Sequence, residues 1–141
     1  MQSSARNQFQ GTVSHINQGV VTDEVQIRTA ENAELVATIT HGSAVSLGLQ
    51  VGSAVVAMIK APSVIVVTDA QGMRFSARNQ LNGTVSQVKT GSVNTEVTID
   101  VQGLQVVAMV TNDSANHLGL AIGTAATALF KASQVVLAVK A

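Results

Sequence analysis

The stretch Ser4-Ala5-Arg6-Asn7-Gln8-Phe9-Gln10-Gly11-Thr12-Val13-Ser14 returns 72 positions later as Ser76-Ala77-Arg78-Asn79-Gln80-Leu81-Asn82-Gly83-Thr84-Val85-Ser86. A self-match this dense at one offset marks an internal duplication. After a one-residue deletion near Gly103 the offset falls to 71. Thr111, Ser114, Leu118-Gly119-Leu120, Gly123 and Lys131-Ala132 then answer Thr40, Ser43, Leu47-Gly48-Leu49, Gly52 and Lys60-Ala61. The repeats occupy 1–68 and 76–141, joined by the polar, Gly-containing link 69–75.

Each repeat has about 70 residues, near the lower limit for a domain that folds alone. There is no cysteine to staple it. The repeats are therefore expected to dock on each other or on further chains. The formal net charge is zero and 11% of residues are charged, which excludes a disordered tail or a polyelectrolyte binder. Three Phe, with no Trp or Tyr, leave no stacking platform for nucleic acid. No apolar run approaches a membrane span, and the N-terminus lacks a signal-peptide pattern. The expectation is a soluble cytoplasmic protein that binds neither membrane nor nucleic acid.

Val and Ile alternate with polar residues in short runs, the period of half-buried strands. The pattern predicts strands at 9–16, 21–29, 34–40, 54–60 and 64–68, with turns at Gly19 and 30–33. Residues 43–49 read as one or two helical turns closed by Gly48. The glycines in general read as turn and cap positions. The second repeat follows the same plan. The fold expected is all-β: two tandem OB-type five-stranded barrels, each with a short helix between strands 3 and 4.

The two repeats also sort the polar residues. Among the basic residues only Arg6/Arg78 and Lys60/Lys131 match, and among the acids only Glu24/Glu96. No histidine matches: His15 faces Gln87, His41 faces Asn112, and His117 faces Ser46. The retained set is Ser4/Ser76, Arg6/Arg78, Thr40/Thr111, Ser43/Ser114 and Lys60/Lys131. Without a repeated histidine or any cysteine, neither a repeated metal-cation site nor a nucleophile–base pair is available. What remains suits an anion: a guanidinium fork, an ammonium charge and hydroxyl donors. Each part has a structural alternative as well. Thr40 and Ser43 can cap a helix, Lys60 and Lys131 can guard a sheet edge, and Arg6 and Arg78 can be solvated.

Ser-Ala-Arg-Asn-Gln with Gly-Thr-Val, then Ile39-Thr40 through Leu49, then Lys60-Ala61-Pro62-Ser63-Val64, resembles the Mop or molbindin family. The second repeat has Val110-Thr111 and Lys131-Ala132-Ser133-Gln134-Val135 at the matching places. The resemblance spans essentially the whole chain and is to the tandem members of that family. It implies OB-type domains that bind molybdate, or tungstate as its near twin, without catalysis. It implies storage and buffering inside the cell, the alternative being a regulatory or delivery module that docks on a partner. Position by position it implies Ser4, Arg6, Thr40, Ser43 and Lys60 as ligands, with backbone donors at Ala61. Ser76, Arg78, Thr111, Ser114, Lys131 and Ala132 are their equivalents. It further implies sites at interfaces between domains and a homotrimeric assembly. The second repeat departs at Asn112-Asp113, which sets an acid beside Ser114, and at Ser133, which stands for Pro62.

Overall fold

A computed structural model describes all 141 residues, Met1–Ala141. The first repeat forms β1 (Asn7–Asn17), β2 (Thr22–Thr29), β3 (Glu34–Thr40), α1 (His41–Ser46), β4 (Ala54–Ile59) and β5 (Ile65–Val67). The second forms β6 (Asn79–Thr90), β7 (Asn94–Val101), β8 (Leu104–Thr111), α2 (Asn112–His117), β9 (Ala125–Phe130) and β10 (Val136–Ala138). A 3-10 turn precedes each last strand, at Ala61–Ser63 and Ala132–Gln134. Two five-stranded antiparallel sheets result, with short helices between their third and fourth strands, as the alternation of the sequence implied.

The repeats and the folded units do not coincide. One sheet runs β10-β4-β1-β2-β3 and the other β5-β9-β6-β7-β8. Val136 pairs with Met58 and Ile65 with Leu129, so each sheet takes its fifth strand from the other repeat. The compact units are Met1–Ile59 with Lys131–Ala141, and Lys60–Phe130. Repeats bounded at 1–68 and 76–141 thus describe the sequence, while the folded units divide elsewhere, and the link 69–75 falls inside the second unit. The physical reason is that backbone ladders carry little sequence information. The outer flank of β4 presents backbone groups that a short apolar strand from either repeat can pair with.

Burial follows the strand period. In the first unit Val13, Val25, Ile27, Leu35, Ala37, Ala57 and Ile59 are each at most 1% exposed. In the second unit Val85, Val97, Ile99, Leu104, Val106, Ala108 and Phe130 fill the same role. The first strand of each repeat is shared: the start of β1 pairs with β4 and its remainder with β2, as β6 does with β9 and β7. A register shift between Val13 and His15, and again between Val85 and Gln87, bends these strands so that the sheet can curl.

Gly11 and Gly83 lie inside these strands and not in turns. Gly11 sits at the handover, paired with both Thr29 and Val55. A Cβ there would stand 2.6 Å from the Arg28 carbonyl oxygen, and at Gly83 2.2 Å from that of Asp100. Curling the sheet brings the neighbouring backbone into the space a side chain would need. Gly48 and Gly119 are caps as expected, both at φ +63° after their helices.

Candidate functional site

The hydroxyl part of the predicted site is built by the helix starts. Thr40 is extended, so its side chain can turn back on α1. Its Oγ1 accepts the Ser43 N–H at 3.0 Å and lies 2.7 Å from Ser43 Oγ. Thr111 repeats this on α2, at 3.1 Å to Ser114 N and 2.9 Å to Ser114 Oγ. The capping role is therefore realised. It does not exhaust the pair: two hydroxyls share one mutual hydrogen bond, which leaves a second O–H to donate outward. All four residues are exposed.

The arginines stand elsewhere. Asn7 pairs with Ile59, and Asn79 with Phe130. Ser4 and Arg6 therefore lie just before the start of β1, as Ser76 and Arg78 do before β6. Thr22 pairs with Thr40 beyond the far end of β1, where Asn17 meets Glu24. An eleven-residue β1 separates these ends by roughly 30 Å of strand path at about 3.3 Å per residue. One unit thus does not gather its arginine and its hydroxyls into a single pocket.

Strand exchange also redistributes the lysines. Lys131 and Ala132 belong to the first unit with Ser4, Arg6, Thr40 and Ser43, and the 3-10 turn that begins at Ala132 packs on β3. Lys60 and Ala61 belong to the second unit with Ser76, Arg78, Thr111 and Ser114. Both lysines, both arginines, Ser4 and Ser76 are exposed, while Ala61 and Ala132 are buried and have only backbone to offer.

A further pair beside the first helix start had no place in the sequence reading. His41, which opens α1, gives its backbone N–H to the Val21 carbonyl at 2.9 Å. Its Nδ1 lies 3.0 Å from Asp23 Oδ2 and 3.1 Å from Oδ1. Asp23 also accepts the Gly19 N–H at 3.0 Å, and its side chain is 1% exposed. Burial opposes the charge on Asp23. The Gly19 N–H and the hydrogen bond and charge of His41 outweigh it, holding the carboxyl below its ordinary range.

In the second unit Thr95 Oγ1 donates to Asn112 Oδ1 at 2.6 Å, and Asn112 Nδ2 donates to the Gly91 carbonyl at 2.9 Å. The same fastening is charged in one unit and neutral in the other. The sequence signal was available. Asp23 aligns with Thr95 and His41 with Asn112, so both partners change together between the repeats. On α2, Asp113 and His117 flank Ser114, where α1 carries Gly42 and Ser46. No three side chains of His, Asp or Glu come together as a metal-cation site.

Two tandem small β-units, each with a capping hydroxyl pair at one end of its sheet and an arginine just before the other, define a duplicated OB-like fold. The TOBE domain matches residues 3–66 and again 76–137, and the chain belongs to the TOBE-domain family. Its structure superposes on the cytoplasmic molybdate-binding protein ModG, solved with molybdate bound, with a TM-score of 0.96 and 48% identity. That match covers 99% of this chain and 100% of ModG. The molybdenum transport protein ModE of Herbaspirillum seropedicae is 45% identical over 99% of this chain. The molybdenum-pterin-binding protein MopA of Rhodobacter capsulatus is 42% identical over 98% of it. The chain spans about half the length of these two relatives, 52% in each case. No helix is long and apolar enough to cross a membrane.

Proposed function

We propose that the protein binds molybdate, with tungstate as a surrogate, and acts as a non-catalytic cytoplasmic store and buffer of the oxyanion. The observation that carries this reading is full-length similarity, at 48% identity, to a protein solved with molybdate bound, joined to a donor set of the right chemistry. Ser4, Arg6, Thr40, Ser43 and Lys60, with Ser76, Arg78, Thr111, Ser114 and Lys131, supply hydroxyl, guanidinium and ammonium donors and no carboxylate. One Arg and one Lys balance a dianion, and hydroxyls with backbone N–H groups near Ala61 and Ala132 fill its remaining lone pairs. A desolvated dianion tolerates nothing less.

The split of arginine and hydroxyls to opposite ends of a sheet supports sites completed across interfaces. A homotrimer would bring the two ends of different units together. Selectivity then follows from fixed donors at a set radius, which fits molybdate or tungstate and leaves smaller sulfate under-coordinated. The alternative, a regulatory or delivery module, draws support from the ModE relatives, which are about twice as long. Isothermal titration with molybdate against a sulfate background tests the binding. Saturable, sulfate-resistant uptake supports the reading, and no uptake removes it.

A further inference from the structure

The fastening beside α1 is charged and the one beside α2 is not, although the hydroxyl pairs they hold are nearly superposable in their hydrogen bonds. His41 is fixed at both ends: its backbone N–H to Val21 and its ring to Asp23. It is also the residue directly after Thr40. Any change in the pair is thus felt within one turn of the Thr40 and Ser43 hydroxyls.

Of the groups that act on the Asp23 carboxyl, only His41 is ionisable. The small crevice over it, about 80 Å³, is bordered by Ile16, Gln18, Ala44, Val45 and Leu49. On β1, His15 is exposed and engaged with Asn17. On β2, strand alternation turns Glu24 away from the face that carries Asp23. Apart from His41, α1 has no acidic or basic residue. The His41 ring is 40% exposed, so a proton reaches it from solvent without opening the fold.

With a neutral imidazole, the buried Asp23 carboxylate leaves one net negative charge beside the hydroxyls, which opposes a dianion. With an imidazolium, the pair is neutral overall. We propose that Asp23 and His41 are positioning residues that make anion capture at the Thr40–Ser43 hydroxyls strengthen as the imidazole takes up a proton, a response that Thr95 and Asn112 do not give to the second unit. This rests on the anion-binding function proposed above. The histidine near the second site, His117, is exposed in the last turn of α2.

The test grafts one fastening onto the other in the full chain: Asp23→Thr with His41→Asn, and reciprocally Thr95→Asp with Asn112→His. Both use pairs the chain already accommodates. Amide NMR signals of 40–44 and 111–115 are followed between about pH 6 and 8, where a histidine changes charge, without ligand and with sodium molybdate. In the parent chain the 40–44 signals should titrate, and the molybdate that perturbs them should bind about three- to tenfold more tightly at the lower pH. The first graft should flatten both responses while binding persists, the reciprocal graft should create them at 111–115, and His117→Asn should leave 40–44 unchanged. Parent signals that do not titrate, or a response at 40–44 that survives the first graft, would overturn the proposal. Molybdate that binds nowhere at either pH would instead remove the proposed function, and the ligand-free titration would still decide the fastening.

Discussion

Val136, near the end of the chain, pairs with Met58 of the first repeat, and Ile65 pairs with Leu129 of the second. Each folded unit is therefore closed by a strand from the other repeat, and damage to a last strand should appear in the unit it joins. Leu137 is 7% exposed and lies opposite Ala57. Leu137→Ala should cost about 2–5 kcal/mol. Hydrogen exchange should lose protection in β4 and β1 before β9 and β6. Loss confined to β9 and β6 would contradict the exchange.

Gly11→Ala and Gly83→Ala should each destabilise the chain by about 1–3 kcal/mol, with Gly83→Ala the worse. The added Cβ meets a backbone carbonyl at 2.2 Å there and at 2.6 Å in the first unit. Urea midpoints check the order. Neutral outcomes would mean that the strands uncurl without cost.

Thr40→Ala and Ser43→Ala separate capping from binding. Thr40→Ala removes the acceptor of the Ser43 N–H and should cost about 0.5–2 kcal/mol of stability. Ser43→Ala keeps that backbone bond, so thermal stability should stay near the parent's while molybdate affinity at its site falls. Equal loss of stability in both would reduce the pair to a helix cap.

Arg6→Ala or Lys60→Ala removes one charge partner and should weaken its molybdate site by about 2–5 kcal/mol. Titration calorimetry reads this as loss of a class of sites. Unchanged affinity and stoichiometry in both variants would defeat the assignment.

Acid should affect the first unit through Asp23. Its carboxyl titrates below the ordinary range when folded, so its contribution is complete above the unfolded pKa. That contribution is lost as pH falls through the lower, folded pKa. Asp23→Asn should flatten the acid limb of the stability profile measured on β1–β3 signals. A limb unaltered by the substitution would place the acid-sensitive group elsewhere.

Much of this was legible because the sequence aligns with itself. The alternation in Val25-Gln26-Ile27-Arg28 placed β2, and Gly48 placed the end of α1. Two features stayed hidden. Strand exchange leaves no mark in a pattern of alternation, since β5 and β10 satisfy either edge. Gly11 and Gly83 looked like turn residues because the backbone that crowds them lies in β2 and β7, far along the chain. His41 finds no match when compared only with Asn112. Its role lies in a pair, and only Asp23 against Thr95 completes the comparison.

Native mass spectrometry with stoichiometric molybdate and excess sulfate reads assembly state and bound oxyanion together. A trimer should retain several molybdates per assembly despite the sulfate. A monomer, or a trimer that retains none, would contradict oxyanion sites completed across interfaces.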